Sequence, residues 1–312
     1  MSGKASETVK ADADGIARAA GVLRAGGLVA LPTETVYGLA ARADSAEAIA
    51  AIYRTKGRPD FNPLIVHVAS FADAETLARF DERARNLAER FWPGPLTLVL
   101  PVREEAAVAA AVTAGLPTIA LRMPAHPVMR AVLEQVGLPL AAPSANRSGG
   151  VSPTAASHVG ESFGGDAPMI LDGGACERGL ESTIVALRDG GWQLLRPGPV
   201  DEREVAAMLG DAMTVAPGRI EAPGQLASHY SPGKPVRLGA TEAREGEFMI
   251  GFGGVRGDCT LSERGDLAEA AARLYACLHT AARSPQGRVA IAPIPGTGMG
   301  AAINDRLRRA AA

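Results

Sequence analysis

The chain has 312 residues, 47% of them hydrophobic but only 4% aromatic, with 32 Lys and Arg against 34 Asp and Glu for a formal net charge of −2. That length suits two domains rather than one, and a core filled mainly by Ala, Val, Leu and Ile suits an α/β protein and excludes disorder over most of the chain. Near-neutral charge leaves no overall field to draw the molecule to nucleic acid or to an anionic membrane, so any basic groups that matter must act locally.

Residues 1–15 are polar and lack the apolar centre of a secretory signal. No apolar run approaches the ~20 residues of a membrane-spanning helix, and a soluble, cytoplasmic protein without membrane contact is expected. Cys176, Cys259 and Cys277 show no Cys-x-x-Cys spacing and are too few and odd in number for a disulfide framework, so they read as small core residues in a reducing compartment.

In chain order, Asp12 or Asp14 can cap a helix with Ile16, Ala20 and Leu23 on its apolar face, stopped by Gly26-Gly27. Residues 28–31 then read as a strand delivering the loop Pro32-Thr33-Glu34-Thr35-Val36-Tyr37-Gly38. Ser45 begins a second helix, with Ala48, Ile49 and Ile52 on one side, that runs into Lys56-Gly57-Arg58. Residues 64–68 follow as a buried strand. Helical spacing over 81–91 ends at Trp92-Pro93-Gly94-Pro95, before a strand at 96–100. Further strands are expected at 118–121, 138–142, 169–171, 183–187 and 193–195, with helices around 126–136 and 154–162. This alternation predicts an α/β fold: a large, twisted, mixed sheet with helices packed on it.

A helix at 201–209 closes this first domain, residues 10–209. Residues 210–234, rich in Pro, Gly and small polar residues, read as a linker carrying Ala222-Pro223-Gly224 and His229-Tyr230-Ser231-Pro232. Strands at 235–238, 248–252 and 289–292 and helices at 267–282 and 299–311 then predict a small α/β domain over 235–312, which at under 80 residues should lean on the first for stability.

No Gly-x-x-x-x-Gly-Lys phosphate loop is present, and Gly251-Phe252-Gly253-Gly254 lacks dinucleotide spacing and reads as a strand-end turn. Lys56 and Arg58 flank Gly57, so two cations can reach one small volume, although a helix C-terminus also favours positive charge. Ser144 and Asn146 follow a strand end, as does Arg122, and Arg196 closes another; Glu181-Ser182-Thr183 precedes a third. Such residues can serve turns and strand edges, or can together clamp a triphosphate and a carboxylate. His67 lies in an apolar strand, where a hydrogen-bonded core histidine is the plainer reading. The remaining histidines show no paired metal-ligand spacing, and no Gly-x-Ser-x-Gly elbow is present.

Taken together, residues 31–40, 56–68, 91–100, 119–126, 141–146, 180–185 and 195–199 resemble the YrdC-like family, and residues 222–232 and 298–310 extend the resemblance to its two-domain members. The resemblance implies a YrdC-like catalytic domain, a lid-like linker and a small C-terminal domain. It also implies a nucleotidyltransferase activity that joins L-threonine, bicarbonate and ATP into L-threonylcarbamoyladenylate and pyrophosphate, for threonylcarbamoyladenosine modification of tRNA by a downstream transferase complex. Thr35, His67, Arg122, the backbone at Ala142, and Ser182 would then contact threonine. ATP would fall to Lys56, Arg58, Asn62, Thr118, Ser144, Asn146, Ser152 and Arg196, with Lys56 and Arg58 the catalytic cations. Tyr230, with His229 near it, would fold over the nucleotide, and Mg2+ would arrive with ATP. The alternative is an RNA-binding module of the same fold, with direct tRNA binding; the charge balance and the lack of interleaved basic and aromatic residues count against it.

Overall fold

The computed structural model describes residues 7–214, 220–225 and 229–312, so 215–219 and 226–228 of the expected linker lie outside the described residues. The chain begins with β1 (Thr8–Lys10), an edge strand parallel to a later one, and α1 (Ala13–Arg24), which Asp12 caps through the Gly15 N–H at 3.0 Å. Next come β2 (Val29–Leu31), β3 (Gly38–Arg42) and α2 (Ala46–Lys56); Ser45 caps α2, and Gly57 ends it in the left-handed conformation. The buried strand β4 (Ile65–His67) precedes α3 (Phe71–Leu77), α4 (Glu82–Phe91), β5 (Leu96–Pro101), the short α5 (Ala110–Thr113), β6 (Thr118–Arg122) and α6 (Pro127–Val136). Only Leu140–Ala141 of the expected 138–142 strand forms β7, since the chain turns away at Pro143. It is followed by α7 (Ala156–Phe163), β8 (Met169–Asp172), β9 (Thr183–Arg188), β10 (Gly191–Arg196) and α8 (Glu202–Leu209).

Ten of these strands form one sheet in the order β1-β8-β2-β3-β7-β4-β6-β5-β9-β10, with parallel and antiparallel pairs mixed. The strands nearest its centre are buried on both faces, which explains their unbroken apolar runs. Helices cover one face over a core that includes Ile49, Ile52, Leu64, Val66, Leu87, Leu98, Leu121 and Val185; a second cluster joins α1 and α6 to β2 and β7.

The remainder holds β11 (Val236–Leu238), β12 (Glu247–Gly251), β13 (Cys259–Thr260), α9 (Leu267–Arg283), β14 (Arg288–Ile291) and α10 (Met299–Ala310). Its four strands are all parallel, in the order β11-β14-β12-β13. Its core is shared with the rest of the chain: Val36, Val151, Leu180 and the linker's Tyr230 pack in one cluster with Leu274, Tyr275, Leu278, Ile303 and Leu307. A unit this small gains apolar burial by borrowing surface from its neighbour. Cys176 and Cys277 are buried and Cys259 half-buried, all as free thiols. No helix among the described residues is long and apolar enough to cross a membrane.

Candidate active site

Side chains alternate along a strand, so Ile65 and His67 of β4, and Thr118, Ala120 and Arg122 of β6, share the sheet face opposite the main helical core. Ser182, two residues before Ile184 of β9, follows the same alternation; Ile65, Ala120, Ile184, Leu195 and the linker's Ala222 form an apolar patch on that face. Parallel pairing sets His67 beside Arg122 at the carboxyl ends of β4 and β6. The outer edge of parallel strands is where α/β sheets commonly bind ligands.

Around these residues a cavity is lined by Thr33, Thr35 and Val36 of the first loop, by Arg58, by Ala142 to Ser144, by Glu181, Ser182 and Arg196, and by Pro223, Gly224 and His229 of the linker. With the linker seated its free volume is only about 40 Å³, room for a few waters against the several hundred Å³ of ordinary small-molecule pockets. A larger cleft of about 380 Å³ between α8 and the start of α10 contains none of the candidate residues.

Three guanidinium groups enter the cavity from separate segments, each braced by the backbone. Arg122 donates from Nε to Gly94 O (3.1 Å), from Nη1 to Thr35 Oγ1 (2.9 Å) and from Nη2 to Glu34 Oε1 (2.6 Å). Burial alone would raise the Glu34 pKa, but the Arg122 charge and its hydrogen bond outweigh it and hold the carboxyl below its usual range. Arg196 donates to Ser182 O (3.0 Å), Ser182 Oγ (3.0 Å) and Pro223 O (3.3 Å). Arg58 donates to Asn62 O (3.2 Å) and Pro63 O (2.9 Å); burial lowers its pKa to about 10, so it remains charged at neutrality. Arg122 and Arg196 are buried and Arg58 half-buried; cations fixed this way are oriented before any anion arrives, and the two buried ones act strongly because little solvent screens them.

The neutral groups are as firmly set. Thr33 Oγ1 donates to Val36 O (2.7 Å) and accepts from the N–H groups of Thr35 and Val36, both at 3.1 Å, which fixes the first loop. Ser182 Oγ pairs with Thr97 Oγ1 at 2.7 Å. Burial lowers the pKa of both His67 and His229 to about 3, so both rings are neutral at pH 7. The buried Nδ1 of each has no hydrogen-bond partner among the described residues.

Thr35, Arg58, His67, Arg122, Ala142, Ser144, Ser182 and Arg196 are therefore brought to one cavity. The other candidates stand behind or beside it. Lys56 is buried, and its Nζ donates to Ser144 O (2.5 Å) and Asn146 O (2.6 Å), holding that loop from behind; burial, then the Arg58 charge, lowers its pKa well below the usual lysine value. Asn146 donates to Arg147 O and Gly150 O, both at 2.9 Å, while its Oδ1 and that of Asn62 are buried without partners among the described residues. Ser152 donates to Glu181 Oε1 at 2.5 Å. Thr118 begins β6, two residues before Ala120 and four before Arg122. Tyr230 is buried at φ +64°, with its ring stacked on Tyr275 at 5.6 Å and edge-on to His229 at 4.0 Å.

Glu34, Glu181, Tyr275 and Arg306 complete the arrangement without having been singled out as binding residues. Glu181 Oε2 accepts from Tyr275 Oη (2.8 Å) and from Arg306 Nε (3.0 Å). Burial would raise the Glu181 pKa, but the charges of Arg306 and Arg196 and the bonds from Ser152 and Tyr275 hold it at about 2. A signal for Arg306 was present: it shares the apolar stripe of α10 with Ile303, Leu307 and Ala310, where a charge needs a buried partner.

A cation-lined trough at the carboxyl end of a mixed sheet, strapped by the linker to a small parallel-sheet unit, defines a two-domain YrdC-type protein. The Sua5/YciO/YrdC profile, described as "Telomere recombination", matches residues 21–198, and the profile described as "Threonylcarbamoyl-AMP synthase, C-terminal domain" matches residues 200–312. The chain belongs to this family. It is 40% identical over 322 residues to the threonylcarbamoyl-AMP synthase of Bacillus subtilis (strain 168), covering 95% of this chain and 92% of that protein. It is 40% identical over 317 residues to the protein of the same name from Pyrococcus abyssi (strain GE5 / Orsay), covering 94% and 92%. The crystal structure of P. abyssi Sua5 complexed with L-threonine superposes with a TM-score of 0.88 at 38% identity, over 98% of this chain and 97% of that one. The second profile takes in α8 and the linker together with the small sheet.

Proposed function

We propose that this protein is an L-threonylcarbamoyladenylate synthase that joins L-threonine, bicarbonate and Mg-ATP, releasing pyrophosphate, and that its product feeds threonylcarbamoyladenosine modification of tRNA by a downstream transferase complex in the cytoplasm. The observation that carries this reading is the convergence of Arg58, Arg122 and Arg196 on one cavity that also holds Thr35, His67 and Ser182. Arg122, held by Glu34 and Gly94 O, suits an amino-acid carboxylate. Arg58 and Arg196 suit the phosphates. His67 and His229, neutral and with unpartnered Nδ1 atoms, offer hydrogen bonds without adding charge.

In the proposed reaction the threonine amine adds to CO2 with loss of a proton, or to bicarbonate with loss of water, to give a carbamate, whose oxygen attacks the α-phosphorus of ATP as pyrophosphate leaves. No covalent enzyme intermediate is required. The residues supply orientation and neutralise charge spreading over the phosphate oxygens. Mg2+ would be carried by phosphate oxygens and water as part of the substrate. The linker would cover a carbamate and a mixed anhydride that both decompose in water.

The test is pyrophosphate release with threonine, bicarbonate and Mg-ATP, omitting each in turn. Release is expected to require all three; release indifferent to threonine refutes the reading.

A further inference from the structure

The small parallel-sheet unit reaches the cavity through one buried carboxylate. Glu181 lines the cavity, precedes the Ser182 that Arg196 grips, and receives Ser152 Oγ from its own side of the molecule. From the other side come Tyr275 of α9 and Arg306 of α10. Arg306 has no solvent exposure, and its Nη1 donates to Asp305 Oδ2 at 2.8 Å. Its Nη2 has no hydrogen-bond partner among the described residues, while its Cζ lies 5.5 Å from the centre of the Tyr230 ring. Tyr230 also stacks on Tyr275, and the neighbouring His229 N–H donates to Arg309 O at 3.1 Å. A cation facing an aromatic ring away from water is an attractive contact. Arg306 and Tyr275 thus touch both the carboxylate beside Ser182 and the aromatic residue that seats the linker.

We infer that Arg306 and Tyr275 are positioning residues for the reaction: through Glu181 they set Ser182 and Arg196, and through Tyr230 they hold the linker over the cavity. This rests on the function proposed above. A tether serving only to join two domains would need neither a carboxylate in the cavity wall nor a ring contact to the linker. The network has both, so the small unit completes the site without contributing a group to the cavity lining.

The experiment uses the full chain with Tyr275→Phe, which removes one hydroxyl, and with Arg306→Gln and Arg306→Lys. In Tyr275→Phe the threonine-dependent kcat should fall about tenfold with KM for threonine nearly unchanged, because small displacements of positioning groups are felt in the transition state. In Arg306→Gln, amide hydrogen exchange at residues 221–224 and 229–231 should rise about tenfold or more while the α9 amides keep their protection, the mark of local rather than general opening. Arg306→Lys should recover part of both losses, since it keeps the charge but not the planar fork. Linker exchange unchanged in Arg306→Gln, or exchange raised equally across residues 235–312, overturns the inference, as does wild-type kcat in Tyr275→Phe. Should the wild-type protein release no pyrophosphate with threonine, the proposed function fails, and the exchange comparison still decides whether Arg306 seats the linker.

Discussion

Arg58→Ala removes a cation from the cavity at little risk to the fold. The guanidinium holds Asn62 O and Pro63 O, but Asn62 O keeps a second donor, Tyr53 Oη at 3.0 Å, and Asn62 N–H still bonds Pro59 O at 3.2 Å, so the loop retains its brace. The lost hydrogen bonds should cost about 1–3 kcal/mol of stability, less than the 5–15 kcal/mol typical of a folded domain. Catalysis should suffer more. Losing one preorganised donor to developing phosphate charge costs about 2–4 kcal/mol of transition-state stabilisation, or roughly 30- to 900-fold at 1.36 kcal/mol per decade. The assay is threonine-dependent pyrophosphate release beside a thermal melt. A variant that melts within a few degrees of wild type yet keeps a rate within about threefold of it would refute the role assigned to Arg58.

Lys56→Met should lower both the melting temperature and pyrophosphate release, because two buried carbonyls lose their shared donor; a melt unchanged from wild type would contradict the brace. Gly224 stands at φ +88°, and a Cβ there would fall 2.9 Å from Arg196 Cδ and 3.2 Å from Tyr230 Oη, so Gly224→Ala should unseat the linker and lower adenylate formation about tenfold or more while the global melt holds. Tyr230→Ala should uncouple the reaction, with ATP consumption surviving better than adenylate accumulation, read as the ratio of pyrophosphate to adenylate; equal losses would remove the covering role. All five histidines have pKa values lowered by burial, to about 3 for His67 and His229, to about 4 for His158 and His279, and in direction for His126. The unfolded chain therefore binds more protons just below pH 6.5, so stability should be full above that pH and decline as pH falls toward 4. His158→Gln with His279→Gln, a pair stacked at 3.9 Å between α7 and α9, should flatten the dependence of melting temperature on pH; an unchanged slope would count against their burial in neutral form.

Two helix starts were legible because their chemistry is local: Asp12, one of two caps open for α1, and Ser45 each accept the N–H three residues on, whereas Asp81, read as the first residue of its helix, instead caps α4 from outside it. The capping box at Ser70 and Asp73, which opens α3, was equally written in the sequence but passed over. Strand β3 was not legible. Its Gly-Leu-Ala-Ala-Arg has little β-propensity and becomes a strand because β2 and β7 flank it, pairing being a tertiary property. Part of the candidate site followed from strand ends carrying Arg122 and Arg196. The partition between cavity-lining and bracing residues did not, because Lys56 and Arg58 differ in role only through which carbonyls the folded loops bring near them. Glu181 was visible as a polar residue before a strand, yet its partners lie about 30 residues upstream at Ser152 and in the last two helices, a convergence that requires strand order and register.

Because the cavity around the three arginines keeps only about 40 Å³ free with Pro223, Gly224 and His229 along its wall, a nucleotide bound as proposed would need those linker residues to draw back to gain the several hundred Å³ that such ligands occupy. On the proposed reaction each turnover would then include a departure and a return of that segment, and the slower of these excursions would cap the rate however fast the phosphorus chemistry proceeds. Solvent viscosity, which drags on such excursions and leaves bond-making alone, becomes the natural probe of what limits the enzyme.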